Sequence, residues 1–401
     1  MKYSVYIIKR KIEDIAIFPF IVLGRLIAKL KRESVEYDIY YFFPFYHTGG
    51  AEKVHSLITN GTGSKDCIIY FTRKSIDQNF YADFEKSGCK IIDISNFTDN
   101  KYFYFLNLIC RGVISGYINN QKKKPLVFNG QCNFGYKISP WINAFIPQVE
   151  LIHSYNTFSW IRLPFLPFIS RTIMISKVRM EEHLKQYTLL NVPPPYHKKI
   201  QYLVNGIPLP TNIQQKQMEG NLKILYAGRG TEEKRVNLIA LIAKEASVKN
   251  LPIEFLFMGD VEDAIHADLK EYCTFLGHQS DEQEIDAIYQ KAHVVIITSY
   301  TEGFPLVIEE GMARGCAVIA TPVGDIPVHV KNNKNGFLFS TFANETTIVK
   351  EGVEFILLLC NNRDLLATIS RNNIKYANDH FSIQAFNHAY QQLFIQLRTV
   401  S

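Results

Sequence analysis

Short runs of β-branched and aromatic residues alternate with longer amphipathic runs along most of this chain, and this alternation limits the folds that it can adopt. One series occupies residues 36–205 and a second occupies residues 222–380. Continuous apolar strands separated by helices are typical of parallel sheets that helices cover on both faces. The sequence therefore predicts an α/β protein with two facing Rossmann-like, doubly wound domains. Ligands of such sheets bind at the carboxyl ends of the strands, so we expect the site in a cleft between the domains.

The boundaries of the predicted elements follow from the same periodicity. The predicted strands are 37–43, 66–71, 89–94, 125–129, 149–153, 171–175 and 200–204 in the first series, and 222–227, 253–258, 273–276, 293–297, 316–320 and 337–339 in the second. Residues 206–221 lose the periodicity and are predicted to be an interdomain linker. Residues 1–35 form a basic amphipathic segment, and residues 381–401 are predicted to end the chain as a helix packed across the domain junction.

The distribution of charge argues against a nucleic-acid-binding protein. The 401 residues carry 44 lysines and arginines against 38 aspartates and glutamates. Residues 1–32 hold eight of the basic residues and only two of the acidic ones, so the rest of the chain balances at 36 against 36. The seven cysteines are scattered without a Cys-x-x-Cys pair, which favours a reducing, cytoplasmic compartment.

Residues 1–32 allow two interpretations, a helix on a membrane surface or a helix packed on its own domain. The longest uncharged apolar stretch, 15–24, has ten residues, whereas a membrane-spanning helix needs about 20. Neither a spanning helix nor a cleaved signal peptide is therefore predicted. A helix from Phe20 to Arg32 would carry a basic stripe opposite an apolar face, which favours an anionic membrane surface as partner. The stripe consists of Arg25, Lys29 and Arg32, and the face of Val22, Leu23, Leu26, Ile27 and Leu30.

The stretch SYTEGFPLVIEEGMARG, residues 299–315, carries the strongest chemical signal of the second series. Pro305 suits the first turn of a helix that is predicted over 305–314. The start of that helix would offer backbone N–H groups and a positive dipole end to an anion. Glu302 precedes this helix and Glu310 lies within it; their alternative roles are a helix cap and a solvent-exposed side chain.

A second candidate anion site follows the run LKILYA. The chain leaves this strand through glycines and places Arg229 and Lys234 at its carboxyl end. A forked guanidinium and a nearby ammonium can together neutralise a diphosphate. The alternative is surface ion pairing with Glu232 and Glu233.

Two further features lie in the first series. Gly49 and Gly50 follow the run YDIYYFF, where glycines let backbone amides approach a ligand, and plain turn chemistry is the alternative. His153 ends the run VELIH and could reach the cleft, although a single histidine can equally be structural.

These elements, in this order, resemble the retaining, nucleotide-sugar-dependent glycosyltransferases of the GT-B architecture, in the group 1 or family 4 type. The resemblance extends from about residue 37 to the C-terminus and is strongest over 222–339. Its glutamate pair with seven intervening residues matches Glu302 and Glu310. The other matches are Gly228, Arg229, Glu233 and Lys234, the start Gly49 to Glu52, and the motifs NGIP, MGD and TPVGDIP followed by NGFLF.

The resemblance implies transfer of a hexosyl-type sugar from a nucleoside diphosphate sugar to a saccharide or lipid-linked saccharide, in cell-surface polysaccharide or glycolipid biosynthesis. It implies that Arg229 and Lys234 hold the donor diphosphate and that Glu310 binds the ribose. Glu302 would contact the donor sugar, and His153 the sugar or the reacting region. The remaining implied donor contacts are Gly49, Gly50, Gly228, Gly303, Phe304, Pro305 and Leu306. Since the chain has no Asp-x-Asp motif and no clustered Cys or His, no metal or other cofactor is expected.

Two positions depart from the family pattern, and other functions stay open. Val328 stands where a glutamate is common and Asp325 replaces a small residue, which leaves the contacts to the donor sugar uncertain. A glycoside hydrolase is disfavoured because Glu302 and Glu310 lie on one loop and helix rather than on opposite sides of a sugar. A nucleotide-sugar epimerase of the same fold and a non-catalytic accessory protein are the remaining alternatives.

Overall fold

The computed structural model describes residues 2–31, 33, 35–100, 102, 104–213 and 216–399, and the chain divides into two units. Residues up to 204 and from 384 onward form the first unit, and residues 205–383 form the second. The predicted linker, 206–221, is thus part of the second unit. The N-terminal segment and nearly all of the C-terminal helix belong to the first unit.

The first unit is built on a parallel sheet. Among the described residues this sheet has seven strands in the order β3-β2-β1-β4-β5-β6-β7. The strands are β1 (Ile39–Phe43), β2 (Cys67–Phe71), β3 (Lys90–Asp93), β4 (Leu126–Asn129), β5 (Gln148–Ile152), β6 (Arg171–Met174) and β7 (Ile200–Tyr202). Every residue of β1, β2, β4 and β5 is buried, because both faces of the sheet are covered.

Helices account for most of the remaining first unit. They are α1 (Tyr3–Leu30), α2 (Gly50–Thr62), α3 (Tyr81–Glu85), α4 (Ser95–Thr98), α5 (Tyr104–Asn119), α6 (Asn133–Ile138), α7 (Phe158–Ile161), α8 (Lys177–Leu190), α9 (Pro194–His197) and, at the end of the chain, α16 (Ile383–Thr399). The terminal helix is held on this unit by the Arg398–Asp38 ion pair (2.6 Å) and by a hydrogen bond from Gln391 to the Gly61 carbonyl (2.7 Å).

The second unit repeats the design on a smaller scale. Among the described residues its parallel sheet has six strands in the order β10-β9-β8-β11-β12-β13. The strands are β8 (Leu222–Ala227), β9 (Ile253–Met258), β10 (Thr274–Gly277), β11 (Val294–Ile297), β12 (Ala317–Ala320) and β13 (Gly336–Leu338). The helices are α10 (Val236–Val248), α11 (Glu282–Lys291), α12 (Leu306–Ala313), α13 (Ile326–His329), α14 (Glu345–Asn361) and α15 (Arg363–His380).

The predicted fold class is confirmed at the level of two parallel-sheet, Rossmann-like α/β domains. All thirteen predicted strands are present, and their ends agree with the prediction to within two residues. The described part of the stretch 206–221 packs on the second unit. The buried Lys216 ammonium donates to the carbonyls of Tyr289 (2.8 Å) and Gln290 (3.1 Å) at the end of α11.

The N-terminal segment differs from its prediction. The helix starts at Tyr3 and runs through Pro19 to Leu30. It packs closely on α5 through glycines: a Cβ on Gly24 would overlap the carbonyl oxygen of Ile109, and a Cβ on Gly112 would overlap that of Ile21. The segment is therefore an integral part of the first unit. Among the described residues, none of the helices combines the length and hydrophobicity of a membrane-spanning segment.

The predicted basic stripe is not a continuous outward surface. Arg25 is partly buried, and its guanidinium donates a hydrogen bond to the Trp141 carbonyl (2.7 Å). Lys29 is exposed, and Arg32 lies outside the described residues. Four of the five residues of the predicted apolar face are exposed, namely Val22, Leu23, Leu26 and Leu30. The helix is turned so that Tyr3, Ile21, Gly24 and Ala28 meet the domain.

Candidate functional site

The strand order of each sheet shows where its switch point lies, that is, where the loops after two neighbouring strands run in opposite directions. In the second unit the chain runs outward from β8 in one direction and from β11 in the other, so the switch point lies between these neighbouring strands. Ligands of doubly wound sheets bind outside the carboxyl ends of the strands at such a point. The loop after β8 carries Arg229 and Lys234, and the loop after β11 carries Glu302. The candidate residues of this unit therefore come from the two loops that flank its switch point.

Glycines allow the loop after β8 to make a tight turn at the edge of the sheet. Gly228 and Gly259 both adopt positive φ angles, +150° and +118°, that other residues rarely accept. A Cβ on Gly259 would overlap the carbonyl oxygen of Gly228, so the two backbones pass in direct contact. The Tyr226 hydroxyl donates to the Arg229 carbonyl (2.8 Å), which fixes the start of the loop.

An ion pair joins the two loops. Lys234 Nζ lies 2.6 Å from Glu302 Oε1, and the two side chains are only 20% and 10% exposed. The backbone supports the contact, since the Tyr300 amide donates to the Glu233 carbonyl (2.8 Å). The predicted alternative for Lys234, surface pairing with its acidic neighbours in sequence, is thus replaced by a contact across the switch point.

Arg229 is held much more loosely than Lys234. Its guanidinium approaches Glu233 at 3.9 Å, and both side chains are about half exposed. Ion pairs of this exposure contribute little to stability. The Arg229 guanidinium can therefore turn towards an anion at small cost, whereas Lys234 is already positioned.

The start of α12 lies directly after Glu302. Pro305 is the N-cap residue, and no side chain of the described part of the chain caps the helix by a hydrogen bond. The Asp325 amide donates to the Gly303 carbonyl (2.8 Å), and Gly324 packs on the same turn with a φ of +56°. The first turn of α12 can therefore present backbone N–H groups to an anion.

Two residues of the implied donor set have buried side chains. Phe304 is 4% exposed and stacks on His329 with ring centroids 4.2 Å apart, and Leu306 is 8% exposed. At these two positions only the backbone can contact a ligand. Phe304 and Leu306 stay predicted donor contacts, and those contacts would be made by the backbone.

Glu310 lies on α12, and a tyrosine hydroxyl orients its carboxylate. Its Oε2 accepts a hydrogen bond from the Tyr289 hydroxyl (2.9 Å). Its neighbour Glu309 is fully buried, whereas Glu310 is half-buried. The structure thus agrees with the residue spacing in making Glu310, not Glu309, the glutamate that a ligand can reach.

The glycine pair of the first unit begins α2. Gly49 is the N-cap residue, and a Cβ on it would overlap the Glu52 carboxylate. A Cβ on Gly50 would meet nothing within 4 Å. The sheet of this unit has its own switch point between β1 and β4, and α2 starts in the loop after β1. An approach of backbone amides to a ligand is therefore possible at Gly50.

His153 follows β5 and contacts a second histidine that sequence reasoning missed. Its Nε2 lies 2.9 Å from Nε2 of His55, a residue of α2. Burial lowers the pKa of His153 to about 4 and holds the pKa of His55 well below its usual value. His55 also stacks on Phe43 with centroids 4.4 Å apart. Nothing in the sequence pairs two residues 98 positions apart, so only the fold reveals this contact.

The structure also bears on metal binding. Among the described residues, no group of three or more His, Cys, Asp or Glu side chains is placed to hold a metal ion. The expectation that the chain works without a metal or other cofactor stays a prediction.

Comparison with known proteins finds one matching family model and several similar sequences. Residues 210–376 match the family model described as "Glycosyl transferases group 1". An uncharacterized glycosyltransferase of Methanocaldococcus jannaschii is 28% identical over 159 residues, which cover 38% of this chain and 42% of that protein. A D-inositol 3-phosphate glycosyltransferase of Corynebacterium aurimucosum is 45% identical over 56 residues, which cover 14% of this chain and 13% of that protein. The chain therefore spans less than half the length of these curated relatives.

Solved structures share the fold over most of the chain. The Anabaena protein HepE in complex with UDP and glucose gives a TM-score of 0.69 at 18% identity, covering 91% of this chain and all of that one. Sucrose-phosphate synthase of Thermosynechococcus elongatus gives 0.66 at 16% identity, with coverage of 91% and 100%. At these identities the likeness concerns the fold.

Proposed function

We propose that this chain transfers a sugar from a nucleoside diphosphate sugar to an acceptor, since residues 210–376 match the family model of the group 1 glycosyl transferases. The acceptor in this proposal is a saccharide or a lipid-linked saccharide, and the anomeric configuration is retained. The pathway is the synthesis of a cell-surface polysaccharide or glycolipid at the cytoplasmic face of the membrane. The UDP and glucose in the HepE structure support a nucleotide-sugar donor.

The observation that carries the proposal is the Lys234–Glu302 pair at the switch point, between the loop of Arg229 and the start of α12. Cleavage of a glycosyl phosphate bond develops negative charge on the departing diphosphate. Cations and N–H groups that are already in place stabilise this charge more in the transition state than in the ground state. Lys234 supplies a positioned ammonium, and Arg229 a mobile guanidinium that can form two hydrogen bonds.

Glu302 has two tasks in this proposal. It holds the Lys234 ammonium at 2.6 Å, and its carboxylate can accept hydrogen bonds from hydroxyl groups of the donor sugar. Glu310 binds the ribose hydroxyls in the same way, oriented by the Tyr289 hydroxyl. Both carboxylates therefore recognise hydroxyl groups, and the cations recognise the diphosphate.

The first unit contributes the remaining proposed contacts. Backbone amides at Gly49 and Gly50 bind the diphosphate, and His153 contacts the sugar or the reacting region. The neutral state of His153 near pH 7, which follows from its lowered pKa, suits a hydrogen-bonding role rather than a charged one. Neither a metal ion nor nucleic acid has a part in the proposal.

A donor screen followed by product analysis tests the function. The purified chain is mixed with nucleotide sugars of different base and sugar, and binding is detected by thermal shift. A ligand at 100 times its dissociation constant should add about 2.7 kcal/mol to stability. Lys234→Ala should lose the shift, whereas Lys244→Ala, a surface lysine 3.7 Å from Asp268, should keep it.

Product analysis then separates the proposal from its alternatives. With the bound donor, slow release of sugar with its anomeric configuration kept supports a retaining transferase. An epimerised nucleotide sugar in the absence of acceptor would instead identify an epimerase. Binding without any turnover, with or without saccharide acceptors, would identify an accessory protein.

A further inference from the structure

The outward face of α1 is apolar along its length. We call the set Val5, Ile8, Ile12, Ile15, Val22, Leu23, Leu26 and Leu30 the outer stripe, and its side chains are between 37% and 85% exposed. Most of these residues are three, four or seven positions apart, which places them on one side of a helix. From Val5 to Leu30 the stripe is about 38 Å long at 1.5 Å per residue.

The opposite face of α1 is fully used by packing. Tyr3, Ile21, Gly24 and Ala28 are buried. Gly24 and Gly112 bring α1 and α5 into backbone contact, so α1 has no freedom to rotate its outer stripe inward. The outer stripe is therefore a fixed surface of the first unit and not a face awaiting a different packing.

The charges of α1 are sorted between its two sides. Its two acidic residues are paired close to the domain, Glu13 with Lys137 and Asp14 with Arg10. The lysines beside the outer stripe are exposed, with Lys11 and Lys29 on one flank and Lys9 on the other. The outward surface thus combines an apolar centre with positive flanks and carries no acidic side chain.

We propose that the outer stripe lies in the interface of an anionic membrane, with the axis of α1 parallel to the surface and its flanking lysines on the headgroups. An apolar stripe with positive flanks is the pattern of interfacial helices, and each lysine near an anionic surface strengthens binding about fivefold. A second copy of the chain fits the surface less well. Twofold pairing along the stripe would bring the same lysines together, where like charges repel.

The outer stripe contains Val22, Leu23, Leu26 and Leu30 of the apolar face predicted from the sequence, and it extends that face to Val5. Large apolar residues enter the interface, and Arg25, in the predicted stripe, points to Trp141 instead. The membrane proposal rests on the proposed function in one respect only: a membrane-bound protein would have a lipid-linked acceptor within reach. Vesicle binding by itself depends on α1 alone.

Flotation of the full chain with vesicles tests the apolar part. The vesicles contain phosphatidylcholine with a quarter phosphatidylglycerol, at low and at high salt. We expect binding that weakens as salt rises, and at least a tenfold loss for the double variant Ile12→Glu with Leu26→Glu. The matched control is Ile76→Glu with Leu189→Glu, two residues of the same unit that are 90% and 83% exposed, and it should bind as the unchanged chain does.

A charge variant and a size measurement complete the test. Lys9→Glu with Lys11→Glu and Lys29→Glu should abolish the preference for anionic over neutral vesicles. Equal vesicle binding by the outer-stripe variant and the control would overturn the proposal. A dimer in sedimentation analysis that the outer-stripe variant dissociates, without vesicle binding, would overturn it in favour of a second copy. Donor hydrolysis should be unchanged in all these variants, so a failure here is distinguishable from a failure of the proposed function.

Discussion

The Nζ atom of Lys234 lies 2.6 Å from Oε1 of Glu302, and this contact joins the loops that follow β8 and β11. The two residues are 68 positions apart in sequence, but their loops follow neighbouring strands of one sheet. In the proposed function, the pair keeps the ammonium in place before a donor binds. A diphosphate that binds there shares the ammonium with Glu302, so the carboxylate limits how far Lys234 can move towards it.

Removing either cation should slow catalysis. We expect Lys234→Ala and Arg229→Ala each to lower turnover about a hundredfold or more, because the loss of one positioned donor to a developing anion costs about 3 kcal/mol. Lys234→Ala should also lower the melting temperature, since it removes the partly buried ion pair with Glu302, whereas Arg229→Ala should not. Steady-state kinetics and thermal denaturation check both statements. Near-normal turnover in both variants would reject the diphosphate site.

Substitutions of Glu302 and Glu310 should affect different steps, turnover in one case and nucleotide binding in the other. Glu310→Ala should weaken binding of the free nucleoside diphosphate by about tenfold or more, the cost of losing hydrogen bonds to a charged group. Glu302→Ala should mainly lower kcat, because its partners are Lys234 and the reacting sugar. Calorimetry with the nucleotide and kinetics with the donor measure the two effects. Tyr289→Phe, which removes only the hydroxyl that holds Glu310, should give a smaller loss of affinity; equal losses of nucleotide affinity in the Glu302 and Glu310 variants would contradict this division.

The histidine pair should make the protein less stable in acid. Both folded-state pKa values are lowered, that of His153 to about 4, so the unfolded chain takes up protons first as the pH falls below about 6.5. The free energy of unfolding should therefore be highest above pH 6.5 and decrease towards pH 4. The two Nε2 atoms, 2.9 Å apart, cannot both carry a proton at the same time, and this adds to the loss of stability in acid. Urea unfolding at several pH values checks this.

Two variants assign the acid sensitivity to the pair. His153→Gln should make the dependence of stability on pH shallower between 6.5 and 4. His266→Gln, a change at an exposed histidine of the second unit, should leave it as it is. The same slope in both variants would place the effect elsewhere in the protein.

The contact between α1 and α5 should not tolerate a single methyl group. In an exposed helix, changing glycine to alanine stabilises by about 1 kcal/mol. Gly24→Ala should do the opposite, since the added Cβ would overlap the Ile109 carbonyl oxygen. Gly50→Ala, where the Cβ meets nothing within 4 Å, is the control. Chemical denaturation compares the two; a stabilised Gly24→Ala protein would show that the helices are not in backbone contact.

The sequence by itself determined the elements of this protein, because the signals for a buried strand are local. The continuous apolar runs at 222–227 and 253–258 appear as strands with the predicted bounds. The helix predicted over 305–314 is one residue shorter at each end, with Pro305 as its N-cap residue. Spacing also singled out Glu310, which the structure leaves reachable while it buries Glu309.

Only the tertiary structure decided which side chains meet and which faces stay outside. Lys234 forms its ion pair with Glu302 rather than with its acidic neighbours in sequence, because the parallel sheet brings the carboxyl ends of β8 and β11 together. His153 meets His55 for the same kind of reason, since β5 and α2 are distant in sequence. The orientation of α1 depends on Gly24, whose missing side chain allows the close approach to α5 that turns the large apolar residues outward. Helical periodicity shows that a helix has two faces, but the partner's shape decides which one is buried.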